Sequence, residues 1–141
     1  MIVTFIIEGE PQGKGRHRTT KTGHTYTPQK TLLYENWIKT CYLSRVGEKM
    51  LQGPIKASIE AYYTIPKSKS KNVKAQMLKN IIRPVKKPDV DNIAKAVFDS
   101  LNGIAYKDDS QVVELSMSKY YAENGFVKVM LEEMEPGGET K

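Results

Sequence analysis

Apolar and polar positions alternate along this chain in blocks that predict its elements one after another. Ile2 to Ile7 is a short run with apolar residues on both parities, the pattern of a central strand. Gly9-Glu10-Pro11-Gln12-Gly13-Lys14-Gly15-Arg16 follows, rich in breakers, and a Thr/Gly/His stretch continues to Thr27. Together they predict a long basic loop with a small hairpin around Gly23. Thr27-Pro28 suits the cap and first turn of a helix running to about Val46. Tyr34, Trp37, Ile38, Cys41 and Tyr42 fall at helical spacing on it, with Trp37 and Cys41 read as core, and Gly47 stops it.

Ile55, Ala57, Ile59, Ala61, Tyr63 and Ile65 alternate with polar or amphipathic residues, the signature of a half-buried strand that Pro66 ends. The Lys/Ser segment 67–71 reads as a loop, and Asn72 as the cap of a short helix carrying Val73, Met77, Leu78 and Ile81. Ile93, Ala94, Val97, Phe98 and Leu101 mark one face of a stronger helix, closed by Asn102-Gly103. Val113, Leu115 and Met117 alternate with Glu114, Ser116 and Ser118 in a third long strand, on a face that a helix should cover. Asn124-Gly125 is a favoured two-residue hairpin turn leading into 126–131. The expected fold is a single α/β domain spanning residues 1–141, a four-stranded mixed sheet flanked by α-helices. Its chain order is strand, helix, strand, helices, strand, strand, with a loose acidic tail from Glu132.

Charge changes the picture more than composition does. The formal net charge is +6, but 13 of the 22 basic residues lie in two stretches, 11–30 and 64–88, that contain none of the 16 acids. From Asp89 onward the balance reverses to 11 acids against 5 bases. Segregation of this kind suits a polyanion held by one surface. Against the plainer reading of a solvated surface, it nominates Lys14, Arg16, Arg18, Lys67, Lys69, Lys71, Lys86 and Lys87 as nucleic-acid contacts. Anionic lipid is disfavoured, because no amphipathic basic helix is evident. The single cysteine, Cys41, excludes an internal disulfide and a cysteine-cluster zinc site. With neither a signal peptide nor an apolar run of membrane-spanning length, a soluble cytoplasmic protein is expected.

The chemistry concentrates in Lys86-Lys87-Pro88-Asp89-Val90-Asp91-Asn92-Ile93-Ala94-Lys95. Pro88 biases Lys87 toward an extended conformation, so a helix start near Asn92 is expected. In an extended Asp89-Val90-Asp91 the two carboxylates point the same way, beside a helix N-terminus, and Lys95 lies one turn beyond Asp91. Two carboxylates so placed repel unless a cation lies between them. Oxygen ligands in partial number suit Mg2+, with Mn2+ as a substitute. The same residues equally describe an ordinary helix start, with Asp91 as N-cap, Asp89 favoured by the dipole and Lys95 as an i,i+4 partner. An EF-hand is excluded by Ile93 and Ala94, and the acid-x-lysine that a Pro-Asp…(Asp/Glu)-x-Lys nuclease core needs occurs after Asp89 only as Glu139-Thr140-Lys141, fifty residues on in the acidic tail. In Asp108-Asp109-Ser110, strand parity with Val113 assigns Asp109 to a covered edge and leaves Asp108 to cap the turn.

Taken together, these motifs resemble the RusA-type Holliday-junction resolvases of phages and prophages. The resemblance runs through Asp89-Val90-Asp91-Asn92, Lys95, Asp99, Leu101, Gly103 and Asp108-Asp109-Ser110-Gln111-Val112, and takes in Gly9-Glu10-Pro11, Lys14-Gly15-Arg16 and Tyr26-Thr27-Pro28. It departs from the family pattern where Pro88 interrupts the basic run before Asp89. It implies a homodimeric, magnesium-dependent endonuclease that nicks opposed strands of a four-way DNA junction in recombination and repair. Asp89, Asp91 and Asp109 would bind metal, with Lys95 as the essential lysine and no small-molecule cofactor or membrane as partner. Asp99 reads as a solvated helix residue paired to Lys95. The residues alone leave open a generic metal-dependent structure-selective nuclease or a non-catalytic DNA-binding protein.

Overall fold

Ten-residue β4 (Ile55–Thr64) organises the molecule, because its alternation buries Ile55, Ala57, Ile59, Ala61 and Tyr63 on one face while Lys56 is exposed on the other. In the computed structural model, which describes residues 1–15, 18–26 and 28–135, this strand lies inside a four-stranded sheet. The other strands of that sheet are β1 (Ile2–Glu8), β5 (Val112–Ala122) and β6 (Phe126–Glu133), in the order β1-β6-β4-β5. β4 and β5 run parallel, and the other pairs are antiparallel. Two short strands, β2 (Arg18–Thr19) and β3 (Thr25–Tyr26), form the hairpin around Gly23, whose φ of +89° only glycine adopts freely.

Parallel neighbours cannot be joined by a tight turn. The β4-to-β5 crossover therefore carries two helices, α2 (Lys71–Leu78) and α3 (Val90–Leu101), while α1 (Gln29–Arg45) joins the hairpin to β4. α1 and α3 pack on each other and on the sheet. Their buried stripes, Tyr34, Ile38 and Tyr42 on one and Ile93, Val97 and Leu101 on the other, close the core over β4 and β6. Each fully buried aliphatic side chain contributes about 1.5–3 kcal/mol. The architecture is the expected α/β, with the expected element order.

Several local expectations change. β1 is an edge strand, not a central one: it pairs only with β6, and Ile2 and Ile6 face solvent while Val3, Phe5 and Ile7 are buried. Asn124-Gly125 does not close a hairpin, because β5 and β6 lie on either side of β4 and the chain crosses the end of that strand between them. Gly125 is required there by close approach, since a Cβ would meet the Glu10 backbone at 3.0 Å. α2 is capped by Ser70, whose hydroxyl accepts from Val73 N at 3.3 Å, and not by Asn72. α1 is flanked by Pro28, while Thr27 lies outside the described residues. Trp37 is 42% exposed, its indole N–H donating to the Glu8 carbonyl at 2.8 Å, and Cys41 is half-buried at the margin of the core. β5 is the other edge, so Val113 and Leu115 stay exposed where a covering helix was expected.

Candidate active site

α3 begins two residues earlier than Pro88 suggested. Val90 is its first helical residue, Asp89 its N-cap (φ −74°, ψ 159°), and Ile93 N donates to the Asp89 carbonyl at 3.0 Å. The proline restricts only the residue before it, so nothing holds Val90 and Asp91 extended. Asp91 therefore projects from the first helical turn, and strand alternation does not apply to the pair. Both carboxylates still stand at the same helix start, both are exposed, and the Asp89 side chain makes no capping hydrogen bond. Among the described residues the first-turn N–H groups have no side-chain partner, which makes this end of α3 attractive to anions.

Asp89 opens onto a cleft of about 510 Å³ between Gly13 and Gly15, Lys30 and Thr31 of α1, and Lys87 and Asn92. The Gly13-Lys14-Gly15 segment presses on both helices. A Cβ on Gly13 would overlap the Asn92 side chain and one on Gly15 the Thr31 hydroxyl. Lys14 N donates to the Asn92 carbonyl at 3.3 Å and Gly15 N to Thr31 Oγ1 at 3.1 Å. The Lys14 ammonium bridges Glu35 at 2.8 Å and Asp99 at 2.9 Å. Burial opposes its charge, but these two hydrogen-bonded carboxylates outweigh that and raise its pKa. Lys14 thus ties the loop to α1 and α3, and Asp99 pairs with it, not with Lys95.

The segment before Asp89 is fastened to the sheet. Tyr63 Oη donates to the Pro88 carbonyl at 2.7 Å, and Lys119 Nζ donates to the Lys86 carbonyl at 2.6 Å. The Lys119 ammonium lies 5.1 Å and that of Lys86 5.7 Å from the centre of the Tyr63 ring. Burial lowers the pKa of Lys119, and the nearby negative charge of Asp89 works against that shift. Burial and the fields of Asp89 and Glu10 push Tyr63 up to about 12, so the phenol stays a hydrogen-bond donor. The sequence reading missed both residues. A signal for Lys119 was present: it stands opposite Ala61, in the same row of β5 as Leu115 and Met117, where a lysine is out of place unless something holds it.

At the far end of α3, Asp108 caps a 3₁₀ turn (Asp109–Gln111), as expected of it. Its carboxylate accepts from Ser110 N at 3.0 Å, and the bonds to Ser110 lower its pKa. Asp109 belongs to this turn and not to β5, so strand parity does not reach it, yet it is the less exposed of the pair. Its N–H donates to Asn102 Oδ1 at 2.8 Å. Burial, then the charges of Asp108 and Asp99, raise its pKa. Asp91, Lys95 and Asp99 follow one another at four-residue intervals along α3, an axial length of about 12 Å at 1.5 Å per residue. Lys95 is exposed, and among the described residues it has no ion-pair partner.

The donor set therefore fits a hard divalent cation in kind, but it is spread along α3. Asp89 and Asp91 stand at one end, Asp99 and Asp109 at the other. Among the described residues no three carboxylate, imidazole or thiol ligands are gathered into one cluster. Of the basic candidates, Lys67, Lys69 and Lys71 are exposed between β4 and the first turn of α2, and Lys86 and Lys87 are exposed beside Asp89. Arg16 lies outside the described residues, and Arg18 is placed only as the first residue of β2.

The family model described as endodeoxyribonuclease RusA matches residues 8–132. The chain is also similar to the uncharacterized protein YqaN of Bacillus subtilis (strain 168), with 38% identity over 137 residues, covering 94% of this chain and 96% of that protein.

Proposed function

Because the chain belongs to the RusA family of endodeoxyribonucleases, we propose that it resolves four-way DNA junctions by paired, magnesium-dependent nicks. It acts as a homodimer in recombination and repair, in the cytoplasm of a bacterium or phage-infected host, and needs no small-molecule cofactor. One observation carries this reading: an N-cap carboxylate that does not cap, next to a first-turn aspartate, in a cleft walled by an acid-free basic segment. The reading adds no membrane role, and no helix among the described residues is long and apolar enough to cross one.

Asp89 and Asp91, at the start of α3, would hold Mg2+, with Mn2+ as a substitute, and Asp109, at the other end of the helix, would serve a separate ion or join the site only on rearrangement. When bound, the ion supplies Lewis acidity and a lowered water pKa. The other roles belong to the chain itself. The start of α3 receives a phosphate through its free N–H groups. Lys95, one turn past Asp91, neutralises the scissile phosphate, and Lys87 guards the cleft mouth beside Asp89. Lys67, Lys69 and Lys71 grip the flanking backbone without reading sequence. Lys14 acts indirectly, by keeping the Gly13–Gly15 wall against α3. One chain carries one set of these residues, so two nicks of like polarity need two chains about a two-fold axis. The sheet face away from α1 and α3 offers a part-buried aromatic row for that contact, Tyr62 stacked between Tyr120 and Phe126 at centroid distances of 5.3 and 4.3 Å.

The test is a synthetic four-way junction and a linear duplex, each incubated with the protein with and without Mg2+. Paired nicks in the junction alone, and only with Mg2+, are expected. Equal cutting of the duplex would make the protein a generic nuclease, and binding without cutting would make it a DNA-binding protein. Mixing wild type with Asp91→Asn on a supercoil-extruded cruciform should yield nicked circles, and undiminished linear product would exclude the dimer.

A further inference from the structure

We propose that Tyr63 and Lys119 are positioning residues for the Asp89 carboxylate, acting as two carbonyl clamps on the segment that delivers it. The inference rests on reading Asp89 as a metal ligand. That carboxylate has no capping hydrogen bond to orient it, and the chain leading to it is open to solvent, with Val85 96% exposed and Lys86 and Lys87 exposed. Its position must then come from the backbone of residues 86–88. The carbonyls on either side of Lys87 are the two held by side chains of the sheet, Lys86 by Lys119 and Pro88 by Tyr63. The donors stand on neighbouring strands on one face, Tyr63 paired with Tyr121 and Lys119 with Ala61. The ammonium also lies over the phenol ring, so each donor steadies the other. Lys119 is in turn fixed from behind, its own carbonyl accepting from Arg83 Nε at 2.7 Å while the guanidinium covers Tyr120 at 4.2 Å.

Packing alone does not account for a lysine here. Its ammonium is partly desolvated, and a methionine would fill the row without that penalty. Groups that orient a metal ligand without touching the metal typically change affinity or activity ten- to a hundredfold when removed.

The experiment follows Mn2+ binding to the full-length, DNA-free protein by the electron paramagnetic resonance signal of the free ion. Single-turnover cleavage and thermal melting of the same variants are measured alongside. Tyr63→Phe removes one hydroxyl and no charge, and should weaken Mn2+ binding about tenfold at a temperature well below its melting point. Lys119→Met should slow single-turnover cleavage about tenfold, and Lys119→Arg, which can still donate to the Lys86 carbonyl, should recover most of the loss. If Lys119→Met does not fold, Tyr63→Phe decides. Wild-type Mn2+ affinity in Tyr63→Phe together with wild-type cleavage in Lys119→Met overturns the clamp, provided Asp89→Asn has lost Mn2+. If Asp89→Asn binds Mn2+ as the wild type does, the assignment of Asp89 as a ligand fails, and the clamp fails with it.

Discussion

Two aspartates occupy N-cap positions in this molecule, and they are used in opposite ways. Asp108, with extended backbone (φ −150°, ψ 146°), closes a full capping box: its carboxylate accepts from Ser110 N, and the Gln111 amide oxygen accepts from Asp108 N at 3.1 Å. Gln111 then donates to the Gly53 carbonyl at 3.0 Å, tying the turn to the loop before β4. Asp89, also extended, makes no side-chain cap bond to its own helix. What holds Asp89 comes from outside its own helix, through Tyr63 and Lys119. A carboxylate that caps has its lone pairs and its direction fixed by local structure. One whose backbone is anchored by distant strands keeps both oxygens for a ligand. The contrast separates an aspartate that caps its own turn from one left for the proposed ligand, where residue type and local position do not.

The largest expected effect tests that separation directly. Asp89→Asn, Asp91→Asn and Asp109→Asn should each reduce junction cleavage by roughly a thousandfold or more, the scale of losing one member of a catalytic unit. Junction binding should persist or tighten, because a negative charge beside phosphate is gone. Asp108→Asn should cut with a modest loss. Gel-based cleavage and binding on one junction decide it. If Asp108→Asn is dead and Asp109→Asn is active, the roles within the pair are reversed.

Next in size is Lys95→Ala. A lone lysine acting on the transition state is worth about 2–4 kcal/mol, comparable with an oxyanion donor. Single-turnover rate should therefore fall far more than affinity. A fall in affinity at unchanged rate would make Lys95 a plain phosphate anchor, leaving the Asp89 end of α3 without a group that responds to the reaction. Smaller again are the effects on folding. Asp108→Ala removes the cap bond from Ser110 N, whereas Asp89→Ala removes none. Urea unfolding of the metal-free protein should show the greater loss in Asp108→Ala, and the reverse order would break the comparison.

The fold was legible because its helices and β4 carry strong periodicity, and a 3.6-residue or two-residue apolar period leaves little choice of element. Strand order was not legible. Ile2 to Ile7 reads the same whether its second apolar face is covered or left to solvent, and Asn124-Gly125 reads as a hairpin although β4 intervenes. The candidate site could be nominated from residue type and spacing, but its arrangement could not. Asp89, Asp91, Lys95 and Asp109 stand out by type and spacing, but the alternation invoked for Asp89 and Asp91 depends on a backbone state that Pro88 does not impose beyond Lys87. Asp99 was mispaired because Lys95 is its neighbour in sequence, while Lys14, eighty-five positions away, is its neighbour in space. Lys119 and Tyr63 act through backbone carbonyls, and no side-chain motif announces a contact of that kind.

The smallest effect concerns how the capping aspartate acts on its neighbour. Asp109 has a raised pKa because it is partly buried, and next because Asp108 stands beside it as a charge. A carboxyl whose folded pKa exceeds its unfolded value binds its proton more tightly when folded. Its contribution to stability is therefore full below the ordinary carboxylate range and is lost as pH rises through the raised value. Asp108→Asn should preserve the turn, since asparagine caps about as well as aspartate, while deleting the charge that acts more strongly on Asp109. The Asp109 carboxyl, followed by carbon-detected NMR across that range, should then titrate at lower pH than in the wild type, and the decline in stability across the window should shrink. An Asp109 midpoint that stays where it was would mean that burial and Asp99 account for the shift. The capping aspartate would then have no electrical role at the site, and the two N-caps would differ in geometry alone.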